Sequence, residues 1–121
     1  MCVYVCTIMF IRIDTITLIV SKVTEIPVAS ILSKARNQEL CYARGFIVNI
    51  GRRYGHTFKA LGKSLNRDHS TCVKSYDNMQ WVINRNPEIK HQLNQCYTEI
   101  KQLESIAHFN IKELSIMVQE T

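Results

Sequence analysis

Apolar positions recur every three to four residues along most of the chain, and that spacing predicts helices. Ile16, Ile19, Val20 and Val23 share one helical face. The Ile, Thr and Val content of residues 14–24 favours a strand by propensity, but the spacing decides for a helix capped by Asp14. Glu25-Ile26-Pro27 ends it, and Pro27 suits the first turn of a short helix reaching Leu32. Ile31 and Leu32 are expected in the core. Residues 33–39, SKARNQE, carry no apolar period and read as a polar loop. Leu40, Ala43, Ile47, Ile50 and Tyr54 then mark one face of a third helix over residues 40–54, closed by Gly55. Gly45 and Gly51 weaken this helix by about 1 kcal/mol each relative to Ala, so packing must hold it.

Residues 59–74 read as two short helices joined by a tight turn. Leu61 and Leu65 lie one helical turn apart, with Gly62 between them for close backbone contact and Thr57 as the cap. Asn66-Arg67-Asp68 breaks the pattern. Asp68 is expected to cap the second helix, its carboxylate accepting from the N–H of Ser70 or Thr71. Cys72, Tyr76, Met79 and Ile83 form the core-facing stripe of that helix, and Trp81 is expected to pack. Asn84-Arg85-Asn86-Pro87 is a stop. Leu93, Cys96, Ile100, Leu103 and Ala107 continue at helical spacing, and Asn110 with Glu113 resembles a capping box for a last short helix holding Ile111, Leu114 and Val118. This final region is expected to pack on the domain, or to pair two chains into a homodimer. The expected architecture is all-α: a multi-helix domain with a helix-turn-helix over residues 13–86 and a C-terminal helical extension over 87–121. Residues 1–12, apolar and β-branched, precede it as a strand-like segment or extended arm.

Composition changes little in this picture, whereas charge changes more. Hydrophobic residues make up 46% of the 121, enough for one folded core and too many for a disordered chain. The net charge is +5. Nine Lys and Arg lie between residues 34 and 74 against two acids, Glu39 and Asp68, so the positive surface coincides with the double helix motif. Such a patch attracts nucleic acid by neutralising phosphates and releasing counterions, although a solvated basic face has the same composition. The five cysteines, Cys2, Cys6, Cys41, Cys72 and Cys96, are odd in number and contain no C-x-x-C pair. They are expected as reduced thiols of a cytoplasmic protein, with Cys72 on the core stripe and no metal site. The N-terminal segment lacks a basic leader and the length of a membrane span, so neither a signal peptide nor membrane insertion is expected. Gly62-Lys63-Ser64 echoes the end of a phosphate-binding loop, but that motif needs a glycine at position 57, which is Thr. No nucleotide or other cofactor is therefore expected.

Arg67, Asp68, His69, Ser70 and Thr71 gather polar groups at one helix tip. A helix N-terminus favours an anion, and a helix-turn-helix inserts such a tip into the major groove. An ordinary capped surface helix presents the same residues. The run LGKSLNRDHSTCV, residues 61–73, goes further. It resembles the signature of the C-terminal DNA-binding domain of the bacterial replication initiator DnaA: an Ile/Leu-Gly pair, a spacer, then Arg-Asp-His-Ser/Thr-Thr and an apolar residue. Ser33-Lys34-Ala35-Arg36 resembles that family's basic loop, Ala43-Arg44 the start of its next helix, and Ile13-Asp14-Thr15-Ile16 its opening. The spacing from Arg36 to Ala43 is a little longer, and that from Tyr54 to Arg67 slightly shorter, than in the family pattern, as in a divergent relative.

The resemblance implies sequence-preferring binding to double-stranded DNA, in replication initiation or its regulation. It implies Asp68, His69 and Ser70 as major-groove readers and Arg36 as the minor-groove one. Side-chain chemistry adds Arg67, which can donate twice to guanine, and Val73, which can touch a thymine methyl. Lys34, Arg44, Lys59, Thr71 and Lys74 are the phosphate candidates, positioning without specifying; Arg52 and Arg53 also lie off the apolar stripe. Two other uses of these helices compete: a protein-interaction module that binds an initiator or replication partner, and a DNA-binding domain attached to a transcriptional regulator or transposase. An enzyme is not expected, because the Asp68–His69 pair stands without a carboxylate cluster.

Overall fold

The computed structural model describes residues 11–120, with side chains described as far as Leu103. The N-terminal arm lies outside the described residues except for Ile11 and Arg12. Six α-helices follow in order: α1 Ile13–Thr24, α2 Val28–Ile31, α3 Gln38–Arg53, α4 Phe58–Leu65, α5 His69–Arg85 and α6 Pro87–Glu120. The described residues contain no strand, so the fold is all-α. The β-branched segment of α1 is helical, with Ile16, Ile19 and Val20 buried. Its threonines fold back onto the helix, Thr17 onto the Ile13 carbonyl at 2.9 Å and Thr24 onto that of Val20 at 2.7 Å. Tertiary burial thus overrides strand propensity. Asp14 does not cap this helix. The cap position is Arg12, without a side-chain hydrogen bond, and Asp14 lies in the first turn, where its charge favours the helix dipole.

Helix α3 is the centre, in contact with every other helix. Its expected one-sided stripe is in fact a belt: every residue from Ala43 to Gly51 is buried. A helix surrounded on all sides buries its polar positions too, and those must find partners. Asn49 does so by donating to the Gly45 carbonyl at 2.8 Å and accepting from Gln80 of α5 at 2.5 Å. Asn37 caps α3 by accepting from the Leu40 N–H at 2.9 Å, which shortens the polar loop to residues 33–37. At the far end Gly55, at φ +93°, supplies the left-handed residue that closes the helix, with His56 N–H donating to Gly51 and Gly55 N–H to Arg52.

The core is one cluster, with Phe46, Ile16, Ile47, Ile50, Leu61, Leu65, Met79 and Ile100 among its fully buried members. Helix α6 joins it through Leu93, Cys96 and Ile100. Burial pushes the Cys96 thiol up to about 12. On α5 the buried residues are Cys72, Met79 and Val82, with Tyr76 and Ile83 half-buried against the cluster. Trp81, expected to pack, is 56% exposed and carries the Arg85 guanidinium over its ring at 4.2 Å. It lies two residues beyond Met79, off the buried face. The expected new start at Asn110 is also absent, since α6 runs without interruption from Pro87 to Glu120. No Gly or Pro follows Pro87, and an interior Asn costs less than about 0.7 kcal/mol, too little to stop a helix.

The turn between α4 and α5 brings backbone close against backbone. Asn66 sits in the left-handed region at φ 57°, and the N–H groups of Arg67 and Asn66 reach back to Gly62 and Lys63, as in a Schellman closure. A Cβ on Gly62 would stand 2.6 Å from the Arg67 carbonyl oxygen, a backbone atom. At Gly45 the nearest atom is the mobile Cε of Met79. Gly62→Ala should therefore cost about 1–3 kcal/mol by overpacking, while Gly45→Ala should change stability by less than about 1 kcal/mol, because the helix gains from losing a glycine. Urea unfolding of the two variants measures the difference; equal midpoints would contradict the close approach.

Candidate nucleic-acid interface

Three local facts build the site. Thr57 caps α4, its hydroxyl accepting from the Ala60 N–H at 3.1 Å, and so aims α4 into the turn. The closure at Asn66 turns the chain over Gly62. Asp68 then opens α5 from an extended backbone, φ −68° and ψ 151°. Its carboxylate makes no capping hydrogen bond, contrary to expectation. The first N–H groups of α5 are left to solvent or a ligand, and Asp68 itself is exposed. His69, Ser70 and Thr71 are exposed around the same tip, and Val73 is half-buried one position past Cys72.

The loop of residues 33–37 lies beside that tip. A cleft of about 520 Å³ is lined by Lys34 and Arg36 from the loop, by Gly62, Lys63, Asn66 and Arg67 from α4 and the turn, and by Asp68 and Thr71 from α5. It brings together five residues singled out in the sequence, Lys34, Arg36, Arg67, Asp68 and Thr71, from segments about thirty residues apart. Lys59 and Lys74 are exposed but do not line it. Lys63 and Asn66 do, and the sequence reading assigned them nothing. The signal for Lys63 was the basic character of the segment, where it also formed part of a failed nucleotide motif, and Asn66 stood out just as the break between the two helices.

Two arginines depart from expectation. Arg44, expected to meet phosphate, is 6% exposed. Its guanidinium donates to the carbonyls of Ile31, Ala35 and Ser33, each at 2.8 Å, and to that of Ser30 at 3.5 Å. Burial, and then the nearby Arg67 charge, lower its pKa from the ordinary value. Arg67, expected to read a base, turns back on the protein. It donates to Ser33 O at 2.6 Å, Asn66 O at 3.1 Å and Leu65 O at 3.4 Å. Arg52 and Arg53 lean over the rings of Phe58 and Tyr97, at 4.4 and 4.9 Å.

The electrostatics are one-sided. Among the described residues the ion pairs are Arg12–Asp14 and Lys22–Glu99. The charges of Lys34, Arg36, Lys59, Lys63 and Lys74 therefore have no acidic partner among them. The described residues contain no cluster of His, Cys, Asp or Glu able to hold a metal ion, and no helix long and apolar enough to cross a membrane.

The paired helices and the basic loop beside the α5 tip fall within a segment that matches a known family. The family model for the bacterial dnaA protein helix-turn-helix matches residues 13–79, from the start of α1 into the third turn of α5. A search of curated proteins finds no match to the chain. The match covers more than half of the 121 residues and contains the whole cleft, so this chain belongs to the bacterial DnaA helix-turn-helix family of DNA-binding domains.

Proposed function

We propose that the protein binds double-stranded DNA with sequence preference, the α5 tip entering the major groove and the loop of residues 33–37 the adjacent minor groove, in replication initiation or its regulation. The observation that carries this reading is the cleft in which Lys34 and Arg36 stand beside Lys63, Asp68 and Thr71. Asp68, with no capping bond to make, is available to accept from cytosine N4, and His69, Ser70 and Val73 follow it on the same tip. Arg36 reads the flanking minor groove. Lys34, Lys59, Lys63, Thr71 and Lys74 hold phosphates and set the register.

A competition titration tests the reading. A duplex bearing the DnaA initiator's binding box should displace the protein from labelled DNA better than a scrambled duplex, whether or not ATP is present. Asp68→Ala or His69→Ala should relax base preference by about 1–3 kcal/mol at the contacted position, whereas Lys74→Ala should weaken all sequences about equally. Equal affinity for box and scramble would leave a DNA binder with another target. Uniform losses from all three substitutions would reduce the α5 tip to a phosphate grip. No binding to any duplex at low salt would turn the same surface into a protein-interaction module.

Pairing of two chains through α6 is a second, separable reading. The helix spans about 51 Å at 1.5 Å per residue for 34 residues, and Leu103 on it is 42% exposed. Sedimentation equilibrium decides between one copy and two.

A further inference from the structure

We infer that Arg67 and Arg44 form a clamp that holds the loop of residues 33–37 at a set position relative to the α5 tip, which makes Arg67 a positioning residue for the two-groove contact rather than a reader of a base. The inference rests on the DNA-binding reading for its consequence, though not for its geometry.

One carbonyl carries the link. Ser33 O accepts from Arg67 at 2.6 Å and from Arg44 at 2.8 Å, using both of its acceptor sites. Arg44 ties that carbonyl to α3 and, through Ile31 O and Ala35 O, holds the end of α2 and the middle of the loop. Arg67 ties it to the turn through Asn66 O and Leu65 O. The other loop bonds are local: Ser33 Oγ donates to Ser30 O at 2.6 Å and accepts from the Ala35 N–H at 3.3 Å, and Asn37 caps α3 by accepting from the Leu40 N–H at 2.9 Å. These shape the loop but do not aim it at α5. Lys34 and Arg36 are exposed on a segment without helix or strand; the Asn37 cap ties the end of that segment to α3, and the two guanidiniums hold its first half, Ser33 to Ala35, against the turn before α5. Bringing like charges together is unfavourable by itself. The shared carbonyls offset it, and a phosphate in the adjoining cleft would offset it further. A planar fork suits this role, because it reaches several carbonyls at once while a lysine ammonium is a point charge.

Arg67→Lys tests the clamp, since it keeps the charge and removes the fork. In the free protein, trypsin cleavage after Lys34 and Arg36 should accelerate about tenfold, as expected when a local opening becomes easier, with Tm little changed. On DNA, Arg36→Ala should weaken binding about tenfold in the wild-type background and at most about twofold in the Arg67→Lys background, because an unaimed Arg36 has less to lose. The salt dependence should not move. Arg67→Gln repeats the protease arm without the charge. Unchanged cleavage together with an undiminished Arg36→Ala penalty would overturn the clamp. So would a base-preference change confined to the stretch read by α5, which would make Arg67 a reader after all, or a collapse of Tm in both variants, which would make it a fold-holding residue. If the wild-type chain binds no duplex, the DNA reading fails, and the cleavage rates alone still decide whether the clamp exists.

Discussion

Raising salt from 50 to 200 mM should lower the affinity of this protein for duplex DNA by about two to three orders of magnitude. The exposed cations Lys34, Arg36, Lys59, Lys63 and Lys74 have no acidic partner among the described residues. Neutralisation of about five phosphate charges, four by the lysines and one by Arg36 from the minor groove, gives a slope of log K against log salt of about −4 to −5. Arg44 is excluded, because its guanidinium is buried and engaged by carbonyls. Fluorescence anisotropy across a salt series measures the slope. Lys63→Ala should flatten it by about 1, which tests a residue that the sequence alone left unassigned. Arg44→Met should leave it unchanged in the fraction that stays folded. A slope near zero for the wild type would remove the electrostatic basis of DNA binding and favour a protein partner.

The largest effect on stability should come from Phe46→Ala, at about 3–5 kcal/mol for a fully buried aromatic. Phe46 is the largest of the fully buried side chains among the described residues and sits on the central helix α3. A domain of this size is stable by about 5–15 kcal/mol, so the variant should lose a large share of its stability. Urea unfolding reads the loss as a lower midpoint. Binding should fall in proportion to the unfolded fraction, with the salt slope of the folded fraction preserved, since no phosphate contact is touched. A loss under about 1 kcal/mol would mean that the packing around α3 is far looser than its complete burial shows. The contrast between the two experiments separates what holds the scaffold from what faces the DNA: one variant changes how much protein is folded, the other how each folded molecule meets phosphate.

The local period and the turn residues were enough to place the helices. Ile16, Ile19 and Val20, then Leu61 and Leu65, then Cys72 and Met79 fall on the faces their spacing predicted. Thr57 caps α4 and Gly55 closes α3 as their chemistry requires. These succeed because a helical face and a cap are decided within four or five residues. The family was legible for a related reason: residues 61–73 pack a tight turn and a polar tip into one short run. What the tertiary structure alone decided is the fate of each cation. Arg36, Arg44 and Arg67 are alike in sequence, but one is exposed beside the cleft, one is buried under the loop and one is folded onto Ser33, 34 residues away. A guanidinium faces water or carbonyls according to which acceptors the fold delivers to it, and those acceptors come from distant segments that no local pattern contains. Burial of α3 all round has the same origin, since it depends on how many neighbours surround a helix and not on the helix itself. The chain's periodicity thus determined the helices and the polar tip of α5, while packing determined which arginines are left exposed and which are engaged by backbone carbonyls.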